Sequence, residues 1–102
     1  LHLDDPILNN DGAAAYASPL RQEPRPMEGI FHAAWVSARM ALAAKVVLAS
    51  PARPTWSDDL TIRQARSVSA FRDCAIVIDA HADFTARGRT LYQTACAALD
   101  DL

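Results

Sequence analysis

Apolar positions recur at helical spacing over three stretches of the chain. Met27, Phe31, Ala34, Trp35, Ala38 and Leu42 fall three or four residues apart. That spacing lays one stripe along an amphipathic helix from Met27 to about Leu48. A second stripe, Leu60, Ala65, Val68, Phe71, Ala75 and Ile78, predicts a helix from near Ser57 to about Ala82. Arg63, Arg66 and Asp73 fall on its polar side. Leu91, Ala95, Ala98 and Leu102 predict a last helix from about Ala86 to Leu99, capped by Thr85. The β-branched run Ile76-Val77-Ile78 has helix-like flanks and no preceding turn, so it is assigned to the second helix.

The punctuation agrees with this division. Pro26 can open the first helix, where its missing N–H costs nothing. Ser50-Pro51-Ala52-Arg53-Pro54 forms a stiff break. Thr55 and Asp58 stand three apart like a capping box, and Asp58 and Asp59 suit the positive end of a helix dipole. Gly88 weakens the last helix by ~1 kcal/mol relative to Ala. Gly29, one turn into the first helix, permits a close approach by another backbone or a ligand.

Residues 1–26 carry no such stripe. They hold Pro6, Pro19, Pro24 and Pro26, four of the six prolines, and the turn cluster Asn9-Asn10-Asp11-Gly12. Each proline removes a backbone donor and biases its predecessor away from the α region. At most one helical turn, near Ala13–Ala17, is expected there. The arm is nonetheless apolar: Leu1, Leu3, Ile7, Leu8, Tyr16, Leu20 and Met27 need a surface to cover. The expected architecture is all-α, an irregular proline-rich arm (1–26) before a three-helix antiparallel bundle (27–102), forming part of a larger domain.

Composition narrows the classes. The chain has 102 residues, 10 Lys and Arg against 12 Asp and Glu, and a formal net charge of -2. No basic surplus exists for a phosphate backbone, so nucleic acid is not expected as a partner. No apolar stretch is expected to reach the ~18–20 residues that cross a bilayer, and no membrane partner is expected. Leu1-His2-Leu3-Asp4-Asp5 has no signal-peptide layout, and the expectation is a piece of a longer chain. Cys74 and Cys96 form no C-x-x-C pair and sit in apolar, helix-like surroundings. They read as small buried thiols of a reducing bacterial cytoplasm. The arginine and alanine bias suggests a GC-rich bacterial genome.

The candidate chemistry is sparse. Three histidines are present, with no HExxH, GxSxG or Walker loop, so no catalytic centre is complete. His2 reads as a surface residue, and His81 suits the C-terminal end of a helix dipole. His32 differs in setting: Glu28 lies four residues before it, Val36 four after and Arg39 seven after. A histidine satisfied by Glu28 and a functional histidine both fit that pattern. Arg21 and Arg25 sit four apart in proline-stiffened backbone, which would pre-position two guanidinium forks for a carboxylate or phosphate. Pairing with Glu23, Glu28 or an aspartate is the structural alternative.

The run Ser18-Pro19-Leu20-Arg21-Gln22-Glu23-Pro24-Arg25-Pro26, continued by Gly29, His32, Trp35 and Val36, resembles a segment of the HExxH-type peptide-modification proteins. These accompany bacterial ribosomally made, post-translationally modified peptides. Their pattern is similar to S-P-x-R-x-D-P-R-P-x-x-G-x-x-H-x-x-[YW]-V after an HExxH helix. Glu23 stands where Asp is commoner. Leu1 to Leu8 looks like the stretch that follows the HExxH, and Phe84-Thr85-Ala86-Arg87-Gly88-Arg89 like the segment before the last helix. The resemblance implies an iron(II)- and 2-oxoglutarate-dependent peptide β-hydroxylase. It implies His32 as third metal ligand, Arg21 or Arg25 on a carboxylate of 2-oxoglutarate or on an acidic peptide side chain, and Glu28 or Arg39 supporting the ligand. The substrate implied is a ribosomal precursor peptide. The HExxH is missing from these residues and is expected just before Leu1, so the chain alone is expected to bind no metal tightly and to be inactive. A zinc metallopeptidase with the same three-histidine logic and a small all-α protein-interaction module are the alternatives.

Overall fold

A computed structural model describes residues 7–12, 14–19, 23–51 and 57–102, with Ser57 described by its backbone alone. Leu1, His2, Leu3, Leu20, Arg21 and Thr55, on which parts of the sequence reading fall, lie outside the described residues. Among the described residues there are three helices: α1 (Met27–Leu48), α2 (Ser57–His81) and α3 (Ala86–Asp100). Among the described residues there is no strand, only two isolated antiparallel bridges, Leu8 with Phe84 and Tyr16 with Arg25. The fold is all-α, as the periodicity predicted.

Helix α1 is the core element. It buries Met27, Ile30, Phe31, Ala34, Ser37, Ala38, Ala41 and Ala44. Four of these are alanines, and small side chains let a neighbouring helix approach closely. The neighbour is α2, which contributes Phe71, Cys74 and Ile78 to the same cluster. Near the start of α2, Gln64 donates to the carbonyl of Ala41 in the second half of α1 (3.4 Å). Near its end, Phe71 reaches the ring cluster of Phe31 through Tyr92, so α1 and α2 run antiparallel. Helix α3 turns back from the end of α2 and adds Tyr92, Ala95 and Leu99.

One expectation needs correction at α1. Met27–Leu48 is long and apolar enough to cross a bilayer by length and composition. After Glu28 only Arg39 and Lys45 interrupt it with charge. Here its apolar face forms the protein core instead, against α2 and α3.

Aromatic rings fill the end of the bundle where α1 begins. Tyr92 lies 5.2 Å from Phe84, 6.3 Å from Phe71 and 6.4 Å from Phe31 between ring centroids. Phe31 also meets Phe84 edge-on at 5.7 Å. Tyr92 stacks on Phe84 and Phe71, and both offset-stacked and edge-to-face rings are favoured arrangements. The spacing rule had placed Ala65 and Leu102 on buried faces, yet both are exposed. In α3 the inward stripe is Gly88, Tyr92, Ala95 and Leu99. Tyr92 captures the register because its ring fills the gap between three other aromatics.

The described part of the arm folds over this end. Ile7, Leu8 and Tyr16 pack against the core cluster, and Met27 is fully buried. The carbonyl of Ile7 accepts from Thr85 twice, from its N–H (2.9 Å) and its hydroxyl (3.1 Å). Asn9 N–H donates to Asp83 O at 2.7 Å. The Asn10 side chain donates to His81 O (2.9 Å) and to Tyr16 Oη (3.2 Å), and accepts from Asp83 N–H (2.7 Å). An asparagine amide thus satisfies the otherwise orphaned end of α2. Thr85 caps α3 as expected, accepting from Gly88 N–H at 3.1 Å. Residues 14–17 are not helical: Tyr16 instead exchanges both backbone hydrogen bonds with Arg25, at 2.8 and 2.9 Å.

Candidate functional site

The site residues named by the sequence gather at the head of α1. Pro26 precedes the helix with φ -59° and ψ 155°, and its carbonyl accepts from Gly29 and Ile30. No side chain caps this helix start. Glu28, His32 and Arg39 all lie on the exposed side of α1, opposite the alanine face. At 100° per residue, steps of four and seven keep them on one stripe. Glu28 and His32 are neighbours at i and i+4. Arg39 lies two turns beyond His32, about 10 Å along the axis at 1.5 Å per residue.

Arg25 is held differently. Both its backbone hydrogen bonds go to Tyr16, and Pro26 follows it, so its Cα has little freedom. Its guanidinium lies against Gly29. A Cβ added there would sit 3.2 Å from both Nε and Nη2 and 3.6 Å from Cζ. The close approach that Gly29 permits is therefore made by the Arg25 side chain. The second arginine of the motif, Arg21, falls outside the described residues.

The same stripe carries exposed apolar residues. Val36 is 40% exposed, Met40 57% and Val46 72%. Trp35 is half-buried and stacks on Phe31 at 6.3 Å. Helix α1 thus has one face in the core and a second face where His32 and Arg39 alternate with Val36 and Met40.

Among the described residues no three His, Cys, Asp or Glu side chains come together to hold a metal ion. His81 ends α2 and packs its ring on Tyr16 at 5.0 Å. The residues present fit a metal only as contributors: an imidazole suits iron or zinc, but a facial site needs three protein ligands.

A second polar cluster lies at the α2–α3 corner, between buried Tyr92 and exposed Asp79. Tyr92 Oη donates to Asp79 Oδ1 at 2.8 Å. Burial, and then the hydrogen bond to the Asp79 carboxylate, push the Tyr92 phenol well above its ordinary range. Burial likewise raises the thiols of Cys74 and Cys96. All three groups are held protonated, which makes them poor nucleophiles and poor bases. Their role is in packing. Nothing in the spacing of polar residues points to the Tyr92–Asp79 pair, thirteen residues apart across the α2–α3 corner. Asn10 was marked only as part of a turn cluster.

No protein-family model, curated protein or solved structure matches the chain.

Proposed function

We propose that this chain supplies one metal ligand, His32, to an iron(II)- and 2-oxoglutarate-dependent peptide β-hydroxylase. An HExxH helix outside these residues would supply the other two. The observation that carries this reading is the head of α1. His32 is exposed on a stripe with Glu28, and three residues before it Gly29 seats the guanidinium of a proline-fixed Arg25. A histidine placed only for packing has no need of that setting.

The roles follow from the donor chemistry. His32 offers one ring nitrogen to the metal. Glu28, one turn back, accepts the other ring N–H and so fixes the tautomer. Arg25 or Arg21 orients a cosubstrate carboxylate through its planar fork. Arg39 adds positive charge farther along the stripe, facing an acidic part of the precursor peptide. When bound, iron(II) would use dioxygen as the oxidant: one oxygen atom would go to the peptide C–H as C–OH, and the other to 2-oxoglutarate as it decarboxylates to succinate and carbon dioxide. We place the protein in the bacterial cytoplasm, where its two free thiols stay reduced.

Two measurements test this. Reading the gene upstream of the Leu1 codon should reveal an in-frame HExxH within about 15 residues, the spacing that the family resemblance requires. The intact protein, reconstituted anaerobically with iron(II), 2-oxoglutarate and a neighbouring precursor peptide, should form succinate and a peptide 16 daltons heavier. A nearby start codon without the motif, or no succinate and no mass gain, would refute hydroxylation. Peptide cleavage with bound zinc would favour the metallopeptidase alternative. The exposed Val36, Met40 and Val46 favour a second reading, an all-α module that docks a protein partner through α1. That reading predicts loss of partner binding on Met40→Glu without any metal dependence.

A further inference from the structure

The side of α2 that faces away from α1 carries a pattern with a centre of symmetry. Ile62, Ala65, Ser69, Asp73, Ile76 and Ala80 are all exposed and fall three or four residues apart. They form one stripe, opposite the buried Phe71, Cys74 and Ile78. Ile62 is 52% exposed and Ile76 70%, and they stand seven residues before and seven after Ser69. Between them Ala65 and Ser69 are small, which lets a second helix come close. Arg66 and Asp73, also exposed, lie three residues before and four after Ser69. Seven residues apart, they differ by only about 20° around the axis and so share one flank of the stripe.

We infer that this stripe pairs α2 with α2 of a second copy of the chain, antiparallel, about a two-fold axis at Ser69. The charges select both the occupant and the direction. With the axis at Ser69, Ile62 meets the partner's Ile76, and Arg66 comes within about 1.5 Å, along the helix, of the level of the partner's Asp73. The two-fold repeats both contacts, so each end has one isoleucine pair and one opposite-charge pair. A parallel pairing would instead set arginine against arginine and aspartate against aspartate. From Ile62 to Ile76 the contact runs about 21 Å. One helix of that length covers less than the ~800 Å² per partner of a standard interface, so the dimer forms in the micromolar range and exchanges readily. The stripe that carries His32 lies on the outer side of α1 and is not covered by this pairing.

The test is sedimentation velocity on the full-length protein from about 1 to about 500 μM, where the wild type should pass from monomer to dimer. Ile76→Glu should move the midpoint to at least about tenfold higher concentration, because it places a carboxylate in both isoleucine pairs. Arg66→Asp and Asp73→Arg should each move it by about tenfold, because each sets like charges together at both ends. An equimolar mixture of these two variants should form a heterodimer of near wild-type strength, since each offers the charge that the other repels. In a Cys96→Ser background, a short bis-maleimide should join Ser69→Cys chains into dimers, and should not join chains with Gln93→Cys, an exposed position on α3. All the altered α2 residues are exposed, so melting temperatures should hold. A protein that stays monomeric over the whole range overturns the inference. So does a dimer that Ile76→Glu and the charge reversals leave intact, or a mixture of the two reversals that stays monomeric. Metal content bears on the proposed function alone and leaves these outcomes untouched.

Discussion

Gly88→Ala gives the sharpest test of how the arm is held. Gly88 is buried in the first turn of α3, beneath the backbone of Ile7. A Cβ there would lie 2.6 Å from Ile7 Cγ2 and 2.8 Å from its carbonyl carbon, and closer still to its carbonyl oxygen. Backbone atoms cannot swing aside as a side-chain tip can. The arm must lift, and lifting it stretches both bonds from Thr85 to Ile7 O and the bond from Asn9 to Asp83. At ~1 kcal/mol each these are worth ~3 kcal/mol. Against this, alanine improves the helix by at most ~1 kcal/mol over glycine. The net is a destabilisation of about 2 kcal/mol, within the ~1–3 kcal/mol typical of overpacking. For a chain of this size it should lower the melting temperature by roughly 8–16 °C. Urea melts and calorimetry on the 102-residue chain measure it. In a chain lacking residues 1–9 the clash is gone, and the same substitution should become stabilising by up to ~1 kcal/mol. Gly88→Ala raising the stability of the whole chain, or acting equally in both backgrounds, would refute the docking of Ile7 on α3.

Other expectations follow from the same contacts. Asn10→Asp removes the donor to His81 O and Tyr16 Oη, and sets two acceptors face to face. It should cost about 1–2 kcal/mol at neutral pH, and less below about pH 4, where a protonated carboxyl can donate again. Urea melts at the two pH values check this. The folded chain also keeps the protons of Tyr92, Cys74 and Cys96 beyond the pH at which the unfolded chain releases them. The folded state then binds more protons, so stability is fully present below about pH 8.5 and declines as pH rises through about 10. Tyr92→Phe should cost about 1 kcal/mol at pH 7 and flatten the decline above about pH 10, as followed by circular dichroism. Cys74 is 1% exposed and Cys96 half-buried, so a thiol reagent should modify Cys96 first and Cys74 only on unfolding.

Helix limits were the most legible part of the chain. Pro26, Pro51 and Thr85 mark them through backbone chemistry that tertiary contacts do not override. Faces were read less well where alanine dominates. Alanine sits equally well inside and outside, so Ala65 pointed the wrong way while Ala95 did not. Leu102, two residues past α3, followed the stripe but had nothing to pack on. Tyr92 was missed because an aromatic with a polar tip carries no fixed side, and only Asp79 and three rings decide it. The arm could not be read from periodicity at all. Its order comes from long-range backbone pairing, as when Ile7 meets Thr85, and such pairing leaves no local signature. At the candidate site, the spacing puts His32, Glu28 and Arg39 on one face and marks Gly29 as a point of close approach; that this face is exposed comes from the packing. That the approaching group is Arg25 is visible only in three dimensions.

The proposed role of His32 is to hold metal. Its most direct test is the metal content of the intact protein, wild type against His32→Ala, after anaerobic loading with iron(II) or zinc and removal of excess metal. His32 is exposed, so its loss should leave helicity and melting temperature nearly unchanged. About one equivalent of metal is expected in the wild type and almost none in the variant, since a facial site left with two ligands holds metal weakly. Equal metal content in the two proteins would contradict it, and would make His32 a surface residue of a three-helix fold.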